Sequence, residues 1–303
     1  MNSLRFHEPV MVEKVLSYAL GIRMNVFVDC TLGDGGHTLE ILRATRDTLV
    51  IGIDIDREAV AAARERLTSS GFPGRAVVLR EDYRNLPHVL ARLGVPRIDA
   101  AIFDLGVSSR HLDDPQRGFT YKGDAPLDMR MNPDSPKTAR DIIMNSSEAE
   151  LERIIREYGE ERFSQKIARA IVERRSVKPI ETASDLVEVI LKAIPGRFRG
   201  GRLHPARRTF QALRIATNDE ISKLGNSLQN AFYLLNPGGK LMVISYHSLE
   251  DRVVKGLFRE LEKTGNARVL TKKPDRPSEA EVARNPRSRS AKMRVIERRD
   301  LSW

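Results

Sequence analysis

An apolar strand that runs into a glycine-rich turn is the feature that most constrains the fold of this chain. Residues 26–38 read V-F-V-D-C-T-L-G-D-G-G-H-T, and the next apolar run, L-V-I-G-I-D-I-D, ends in Asp54 and Asp56. The order strand, glycine turn, helix, strand and carboxylate is typical of a parallel sheet that binds an adenosine-containing cofactor at its edge. The glycines let the backbone approach the ligand, and the carboxylate can accept hydrogen bonds from ribose hydroxyls.

The turn favours one class of cofactor over two others. Gly33, Gly35 and Gly36 are followed by H-T-L, so the third glycine of the dinucleotide pattern G-x-G-x-x-G is absent. No G-K-[ST] tripeptide follows, which argues against a nucleoside triphosphate loop. S-adenosylmethionine has no phosphates and needs only the tight turn and the ribose carboxylate. Taken alone, the turn favours a methyltransferase only modestly. The alternative that this loop merely reverses the chain and binds no cofactor is also consistent with the sequence.

Alternating strands and helices predict the fold class, an α/β, doubly wound, Rossmann-like methyltransferase sheet interrupted by a small helical insertion domain. The predicted strands are Val26–Asp29, Leu49–Asp54, Ala76–Arg80, Ile98–Asp104, Lys240–Ser245 and Lys292–Arg298, with an N-P-G-G turn at 236–239. An alanine-rich helix is expected at Arg57–Leu67. We place an S-adenosylmethionine-binding domain at residues 1–112 and 213–303, and a helical insertion, expected to recognise RNA, at 113–212.

Helical periodicity organises the insertion. Ser147 and Glu150 form a capping-box pattern that opens a helix ending near Gly159. Further helices are expected over Glu161–Arg175 and from Ser184 to the Pro195-Gly196 pair, and a long amphipathic helix over Ile221–Leu235 leads back into the sheet.

The charge balance points to a polyanionic partner. The chain has 51 Lys+Arg against 41 Asp+Glu, a net charge of +10, although such a surplus can also serve solubility or heat tolerance. Two acid-free segments carry much of it, G-R-F-R-G-G-R-L-H-P-A-R-R at 196–208, here called the basic arm, and R-N-P-R-S-R at 284–289. The predicted phosphate-binding residues are Arg197, Arg199, Arg202, Arg207, Arg208, Arg287 and Arg289.

Cysteine usage and hydropathy predict a cytoplasmic protein without a membrane segment. Cys30 is the only cysteine, so no intramolecular disulfide is possible, and no apolar run approaches the length of a membrane helix. C-x-x-C and H-E-x-x-H spacings are absent, which argues against a protein-bound catalytic metal. Cys30 lies inside the presumed cofactor turn, so we interpret it as a packing residue rather than a nucleophile.

Asp104 is the candidate catalytic residue because it ends the fourth strand, where ligands sit in open α/β sheets. A carboxylate there could hold the hydrogens of a conjugated amino group, orient its lone pair and stabilise positive charge developing on nitrogen. The alternative, that Asp104 caps the following loop, is equally consistent with the sequence. His247 is expected to be a structural hydrogen-bonding residue, and Phe119 and Tyr121 either pin a loop or stack on an extruded base.

Strings along nearly the whole chain resemble one family, the bacterial small-subunit ribosomal RNA methyltransferase H, or MraW type. They include D-C-T-L-G-D-G-G-H-T (29–38), D-L-G-V-S-S-R-H-L-D (104–113), P-L-D-M-R-M (126–131), Y-G-E-E-R-F-S (158–164), I-S-Y-H-S-L-E-D-R (244–252) and R-N-P-R-S-R-S-A-K (284–292). The resemblance implies methyl transfer from S-adenosylmethionine to the exocyclic amino nitrogen of a cytidine in the ribosomal decoding centre. The implied partner is small-subunit ribosomal RNA or the assembled small subunit, and no protein partner is implied.

Carried over position by position, the resemblance implies cofactor contacts at Gly35, Gly36, His37, Asp54, Tyr83, Asp104 and His111. Phenylalanine is more typical of the family at Tyr83, and glutamine at His111. Two rival hypotheses remain, a methyltransferase with another substrate and a non-catalytic ribosome-assembly factor that binds RNA. The paired basic segments argue against the first, and the intact glycine turn with Asp54 and Asp104 argues against the second.

Overall fold

The computed structural model describes residues 8–72, 74–200 and 203–300, so Arg202 lies outside the described residues. The chain divides into two compact units, one of Met1–Gly106 with Ile221–Trp303 and one of Val107–Glu220. The boundaries predicted from the sequence lie after residue 112 and before residue 213, inside those of the second unit. The second unit is longer at both ends because Val107 and the helix over Arg207–Asn218 contribute to its own hydrophobic core.

The strands and helices are numbered separately in chain order. The strands are β1 Val26–Asp29, β2 Leu49–Asp54, β3 Ala76–Arg80, β4 Ile98–Asp104, β5 Leu235–Ser245, β6 Ala267–Val269 and β7 Lys292–Arg298. The helices are α1 Val12–Ala19, α2 Gly36–Ala44, α3 Arg57–Ser69, α4 Leu86–Arg92, α5 Ser109–Asp113, α6 Ala139–Asn145, α7 Glu148–Gly159, α8 Ser164–Val177, α9 Ala183–Ala193, α10 Arg207–Asn218, α11 Leu224–Leu234, α12 Ser248–Lys263 and α13 Glu279–Arg284.

In the described part of the first unit, the strands form one sheet in the order β3-β2-β1-β4-β5-β7-β6. The neighbours from β3 to β5 are parallel, and β7 is antiparallel to both β5 and β6. The central strand β4 is buried from Ile98 to Phe103, as expected for a parallel strand covered on both faces. This architecture confirms the predicted fold class.

Helices cover both faces of the sheet. Consecutive strand residues belong to different apolar clusters, because successive side chains of a strand point to opposite faces of the sheet. Phe27, for example, lies in one cluster and Val28 in the other. The cluster that contains Phe27 also contains apolar side chains of α1, α2 and α3, and the cluster that contains Val28 contains those of α4, α11 and α12. The helix α3 begins where predicted because the Asp56 side chain accepts the Glu58 N–H at its first turn.

The start of β5 differs from the prediction. The expected N-P-G-G turn lies within the strand, which begins at Leu235 rather than Lys240. Its pairing with β4 jumps from Ile98–Leu235 to Ala100–Lys240, so extra residues of β5 bulge there, and Gly238 adopts a φ of 79°. Gly238 therefore allows the bulge within β5, rather than forming a turn that precedes the strand.

The second unit is helical, as the periodicity predicts. Ser147 accepts the Glu150 N–H at 3.2 Å at the start of α7, which forms the serine half of the predicted capping box. Helix α8 begins three residues later than expected, at Ser164. In the first unit, the helix expected over Ile221–Leu235 is the shorter α11. Leu151, Ile155 and their apolar neighbours form this unit's core.

Candidate active site

Three strand ends in the first unit carry carboxylates. Asp29, Asp54 and Asp104 are the last residues of β1, β2 and β4, which are parallel and adjacent. The carboxyl ends of parallel strands share one edge of the sheet, and this edge is where ligands bind in open α/β folds. The structure therefore brings the predicted Asp54 and Asp104 to one edge and adds Asp29, which the sequence analysis did not single out.

The glycine turn between β1 and α2 needs glycine for conformation and for packing. Gly33 and Gly35 have φ values of 51° and 76°, in the left-handed region that glycine adopts without strain. A Cβ on Gly35 would lie 3.3 Å from the Ala63 Cβ, and one on Gly36 would lie 3.0 Å from the Pro9 Cβ. Gly35 and Gly36 thus let α2 pack closely against its neighbours in the first unit.

The Asp54 carboxylate fixes that turn. Its Oδ2 accepts the Gly33 N–H at 2.8 Å, and its Oδ1 accepts the Asp56 N–H at 2.9 Å. The residue is only partly buried, and each carboxylate oxygen has a second lone pair. The same side chain can therefore hold the glycine turn and accept hydrogen bonds from a bound ribose.

Asp104 is held by groups from three chain segments. Its backbone N–H donates to Thr31 Oγ1 at 2.6 Å, and its Oδ1 accepts the Tyr246 hydroxyl at 2.7 Å. The His37 Nε2 lies 3.5 Å from Asp104 Oδ2. Among the described residues the carboxylate accepts no backbone N–H from the following loop, so the loop-capping alternative for Asp104 is wrong. Burial raises the pKa of Tyr246 well above its usual range, so its hydroxyl remains a donor.

Behind Asp104 lies a buried acid–base pair. Burial raises the pKa of Asp29 to about 6, against the opposing effects of His37 and of bonds from Thr38 and Thr31. Burial alone would lower the pKa of His37, but contact with Asp104 and the negative charge of Asp29 raise it overall. Both His37 ring nitrogens are buried without a hydrogen-bond partner among the described residues. Such an unpartnered polar group at this edge fits a site that receives a polar ligand.

The raised pKa of Asp29 predicts a pH-dependent contribution to stability. Because folded Asp29 keeps its proton up to about pH 6, whereas the unfolded carboxyl loses it near pH 4, folding weakens as pH rises through this window. The free energy of unfolding of wild type should therefore fall, relative to Asp29→Asn, between about pH 4 and pH 6. Denaturant unfolding of both proteins across this range checks it, and parallel pH curves would contradict the assignment.

Tyr83 and His111 lie in different units. Tyr83 follows β3 in a single 3₁₀ turn and packs edge-on against Phe103, with ring centroids 5.4 Å apart. His111 belongs to the second unit, where its Nδ1 contacts Ser108 and its ring packs 4.9 Å from that of Phe119. Tyr83 therefore follows a strand at the candidate edge, whereas the contact implied for His111 remains a prediction.

Two other candidates have structural roles in the first unit. Burial raises the pKa of the Cys30 thiol well above its usual range, which suits a packing residue and not a thiolate nucleophile. His247 caps α12 through its Nδ1, which accepts the Glu250 N–H at 3.4 Å. Both observations agree with the sequence analysis.

In the second unit, the loop aromatics are packed rather than open to solvent. Phe119 is buried in the core, and Tyr121 stacks on His204 with ring centroids 4.7 Å apart and contacts Phe210. These contacts pin the loop to the region where α10 begins. The base-stacking alternative for Phe119 is therefore wrong.

The predicted RNA-binding arginines are exposed wherever the structure describes them. In the second unit these are Arg197, Arg199, Arg207 and Arg208. In the first unit Arg287 and Arg289 are exposed on a 3₁₀ turn over Pro286–Ser290. Their role in binding RNA remains a prediction. No described helix combines the length and the apolar character needed to cross a membrane.

Comparison with known proteins places this site in a family context. The family model described as the MraW methylase family matches residues 5–299. The Ribosomal RNA small subunit methyltransferase H of Pseudothermotoga lettingae is 48% identical and covers 97% of this chain and 99% of its own length. The protein of the same name from Halothermothrix orenii is 43% identical, covering 96% of this chain and 98% of its own.

Solved structures are more distant in sequence. An rRNA methylase from Streptococcus thermophilus is 13% identical and aligns over 98% of this chain and all of its own, with a TM-score of 0.45. The family match and the full-length relatives settle the classification. This chain, with its glycine turn and carboxylate-lined sheet edge, belongs to the MraW methylase family.

Proposed function

We propose that this protein transfers a methyl group from S-adenosylmethionine to ribosomal RNA of the small subunit, at the exocyclic amino nitrogen of a cytidine in the decoding centre. The observation that carries the proposal is the sheet edge where Asp54 secures the glycine turn and Asp104 presents an oriented carboxylate. The family match and the names of full-length relatives support ribosomal RNA methylation. The choice of the cytidine amino nitrogen as the methylated atom is supported by the motif resemblance and by the chemistry of Asp104.

The residues at the edge fit an adenosyl cofactor. Asp54 would accept ribose hydroxyls while holding the Gly33 N–H. His37 offers Nδ1, which has no hydrogen-bond partner among the described residues, while its Nε2 lies 3.5 Å from Asp104 Oδ2. Tyr83, whose ring already packs against Phe103, would lie beside the adenine. When bound, S-adenosylmethionine supplies an electrophilic methyl group on a positively charged sulfur.

Asp104 orients the acceptor amine and stabilises the charge that develops on it. A cytidine amino group conjugated to its ring is a poor nucleophile, and acceptors that hold its hydrogens orient the nitrogen lone pair. The Tyr246 hydroxyl donates to Asp104 Oδ1 and so orients the carboxylate, while among the described residues Oδ2 has only the longer contact to His37, at 3.5 Å. The negative charge of Asp104 stabilises positive charge developing on the amine nitrogen.

The test of the function is the methylation state of ribosomal RNA. Mass spectrometry of nucleosides and fragments should show loss of one amino-methylated cytidine from the decoding centre in cells lacking this protein. Return of the modification on expressing wild type, but not Asp104→Asn, would assign it to this site. Unchanged cytidine methylation in the deleted strain would remove the proposal.

The basic arm is expected to bind RNA phosphates. Arg207 and Arg208 are exposed at the start of α10, and Arg199 is exposed just after a 3₁₀ turn. Replacing these three arginines by glutamine should reduce the slope of log affinity against log salt by about two units, because fewer counterions are released. RNA binding titrations at several salt concentrations check this. S-adenosylmethionine affinity should stay at the wild-type value, and an unchanged slope would place the RNA path elsewhere.

A further inference from the structure

The turn between α7 and α8 carries the motif Y-G-E-E-R-F-S, to which the proposed function gives no role. Gly159 ends α7 against α10, because a Cβ there would lie 2.7 Å from the carbonyl oxygen of Arg208. Glu160 follows with a left-handed φ of 49°. The motif therefore brings the end of α7 into close contact with the end of the basic arm.

Main-chain groups of the motif also bind the end of the arm and the first turn of α10. The Glu160 carbonyl accepts Arg208 Nη1 at 3.1 Å, and the Tyr158 carbonyl accepts Gln211 Nε2 at 3.2 Å. Carbonyl groups near a helix end lack intrahelical partners, so cationic and amide donors stabilise them. These bonds fix the first turn of α10 to the motif.

Aromatic contacts attach the other end of the arm. Phe163 of the motif packs against Phe198 of the arm, with ring centroids 5.3 Å apart. The Arg162 guanidinium lies over both rings, 3.8 Å from the Phe198 centroid and 4.6 Å from that of Phe163. Arg197 lies 4.9 Å from the Phe198 centroid, so the two guanidinium carbons are within about 9 Å of each other.

No described residue neutralises either guanidinium. Arg162 and Arg197 are exposed, and neither makes a hydrogen bond or ion pair with the described residues. By contrast, an exposed arginine on the following helix α8 is paired with an acid: Arg169 Nε lies 2.8 Å from a carboxylate oxygen of Glu173. A guanidinium carries five N–H donors in a planar fork that matches phosphate oxygens, and stacking on a ring leaves its edge available.

We propose that Arg162 and Arg197, stacked on Phe198, form a preorganised phosphate-binding pair for the RNA substrate. The inference rests on the proposed function, and it adds Arg162, which lies outside the basic arm. An RNA backbone fits better than an acidic peptide, because the arm is free of acids over residues 196–208 and presents further exposed arginines around the pair. The rings hold the guanidiniums before binding and so lower the ordering cost of phosphate contact.

The test measures binding of unmodified small-subunit ribosomal RNA, made by transcription, without turnover. Arg162→Gln and Arg197→Gln should each weaken RNA binding severalfold and reduce the salt slope by about one unit. Arg169→Gln, an exposed arginine that is paired with a glutamate, is the matched control and should bind as wild type does. Phe198→Leu should weaken binding without any change of charge, because it removes the ring that positions both guanidiniums.

The outcomes separate this inference from the function on which it rests. S-adenosylmethionine affinity should match wild type in every variant, and so should the melting temperature of the arginine variants. Phe198→Leu, which loses ring packing, is expected to melt at a lower temperature but to remain folded. If wild type binds the cofactor but neither this RNA nor the assembled small subunit, the proposed function fails. If wild type binds RNA while Arg162→Gln and Arg197→Gln behave like Arg169→Gln, the phosphate-binding pair alone is wrong. Wild-type RNA affinity in a folded Phe198→Leu variant would overturn the role of stacking.

Discussion

Asp104→Asn is expected to turn over about a hundredfold more slowly than wild type, even at saturating cofactor and RNA. The amide is nearly isosteric, so the backbone bond to Thr31 and the contact with Tyr246 can persist. What disappears is the negative charge that stabilises the developing ammonium and one acceptor for the amine hydrogens. Single-turnover rates on ribosomal RNA, together with calorimetric cofactor affinity, measure the effect.

Tyr246→Phe is the matched comparison for that variant. It removes the hydroxyl that donates to Asp104 at 2.7 Å but leaves the carboxylate charge in place. Its loss of rate should therefore be smaller than that of Asp104→Asn. If Asp104→Asn instead loses only cofactor affinity and reaches the full rate at saturation, Asp104 binds the cofactor and does no chemistry.

Asp54→Ala is expected to weaken S-adenosylmethionine binding by about 1.5–3 kcal/mol, the range of hydrogen bonds to a charged group. This corresponds to roughly a 10- to 150-fold rise in the dissociation constant. The upper part of the range is expected, because the alanine also removes the acceptor for the Gly33 and Asp56 N–H groups and so loosens the glycine turn. Isothermal titration calorimetry measures the affinity.

Glu58→Ala provides a control at the start of the next helix, where the residue donates its backbone N–H to the Asp56 side chain, a bond that the substitution keeps. Its cofactor affinity should match that of wild type. Wild-type affinity in Asp54→Ala would show that the carboxylate only stabilises the glycine turn, and the proposed hydrogen bonds from the ribose hydroxyls to Asp54 would then be wrong.

Elements with strong local patterns could be predicted from the sequence. The β7 strand over Lys292–Arg298 has the predicted bounds, and α3 begins at the predicted Arg57, because alternation and a capping aspartate are local signals. The start of β5 could not be placed, since its N-P-G-G stretch is a turn signal that tertiary pairing with β4 overrides. The short β6 strand, only Ala267–Val269, carries too few residues for a period to show.

The partners within the candidate site depend on long-range register. Asp104 meets Tyr246 because β4 pairs with β5 so that Asp104 lies opposite Ile244, a relation between residues 140 positions apart in the chain. Tyr246 directly follows the predicted strand Lys240–Ser245, but the sequence alone gives no means of aligning that strand with the one that ends at Asp104. The Arg162–Phe198 contact was missed for the same reason, although both motifs were visible, because nothing local joins the α7–α8 turn to the arm.

The place of β4 in the sheet has a consequence for the chain as it leaves the ribosome. When residue 104 emerges, β3, β2, β1 and β4 can pair, but the β5 partner of β4 is still about 130 residues from synthesis. At synthesis rates of about 5–20 residues per second, this apolar strand remains an open edge for roughly 6–25 seconds. Unpaired apolar edges invite aggregation, so the nascent chain should depend on chaperone cover until residues 235–245 arrive.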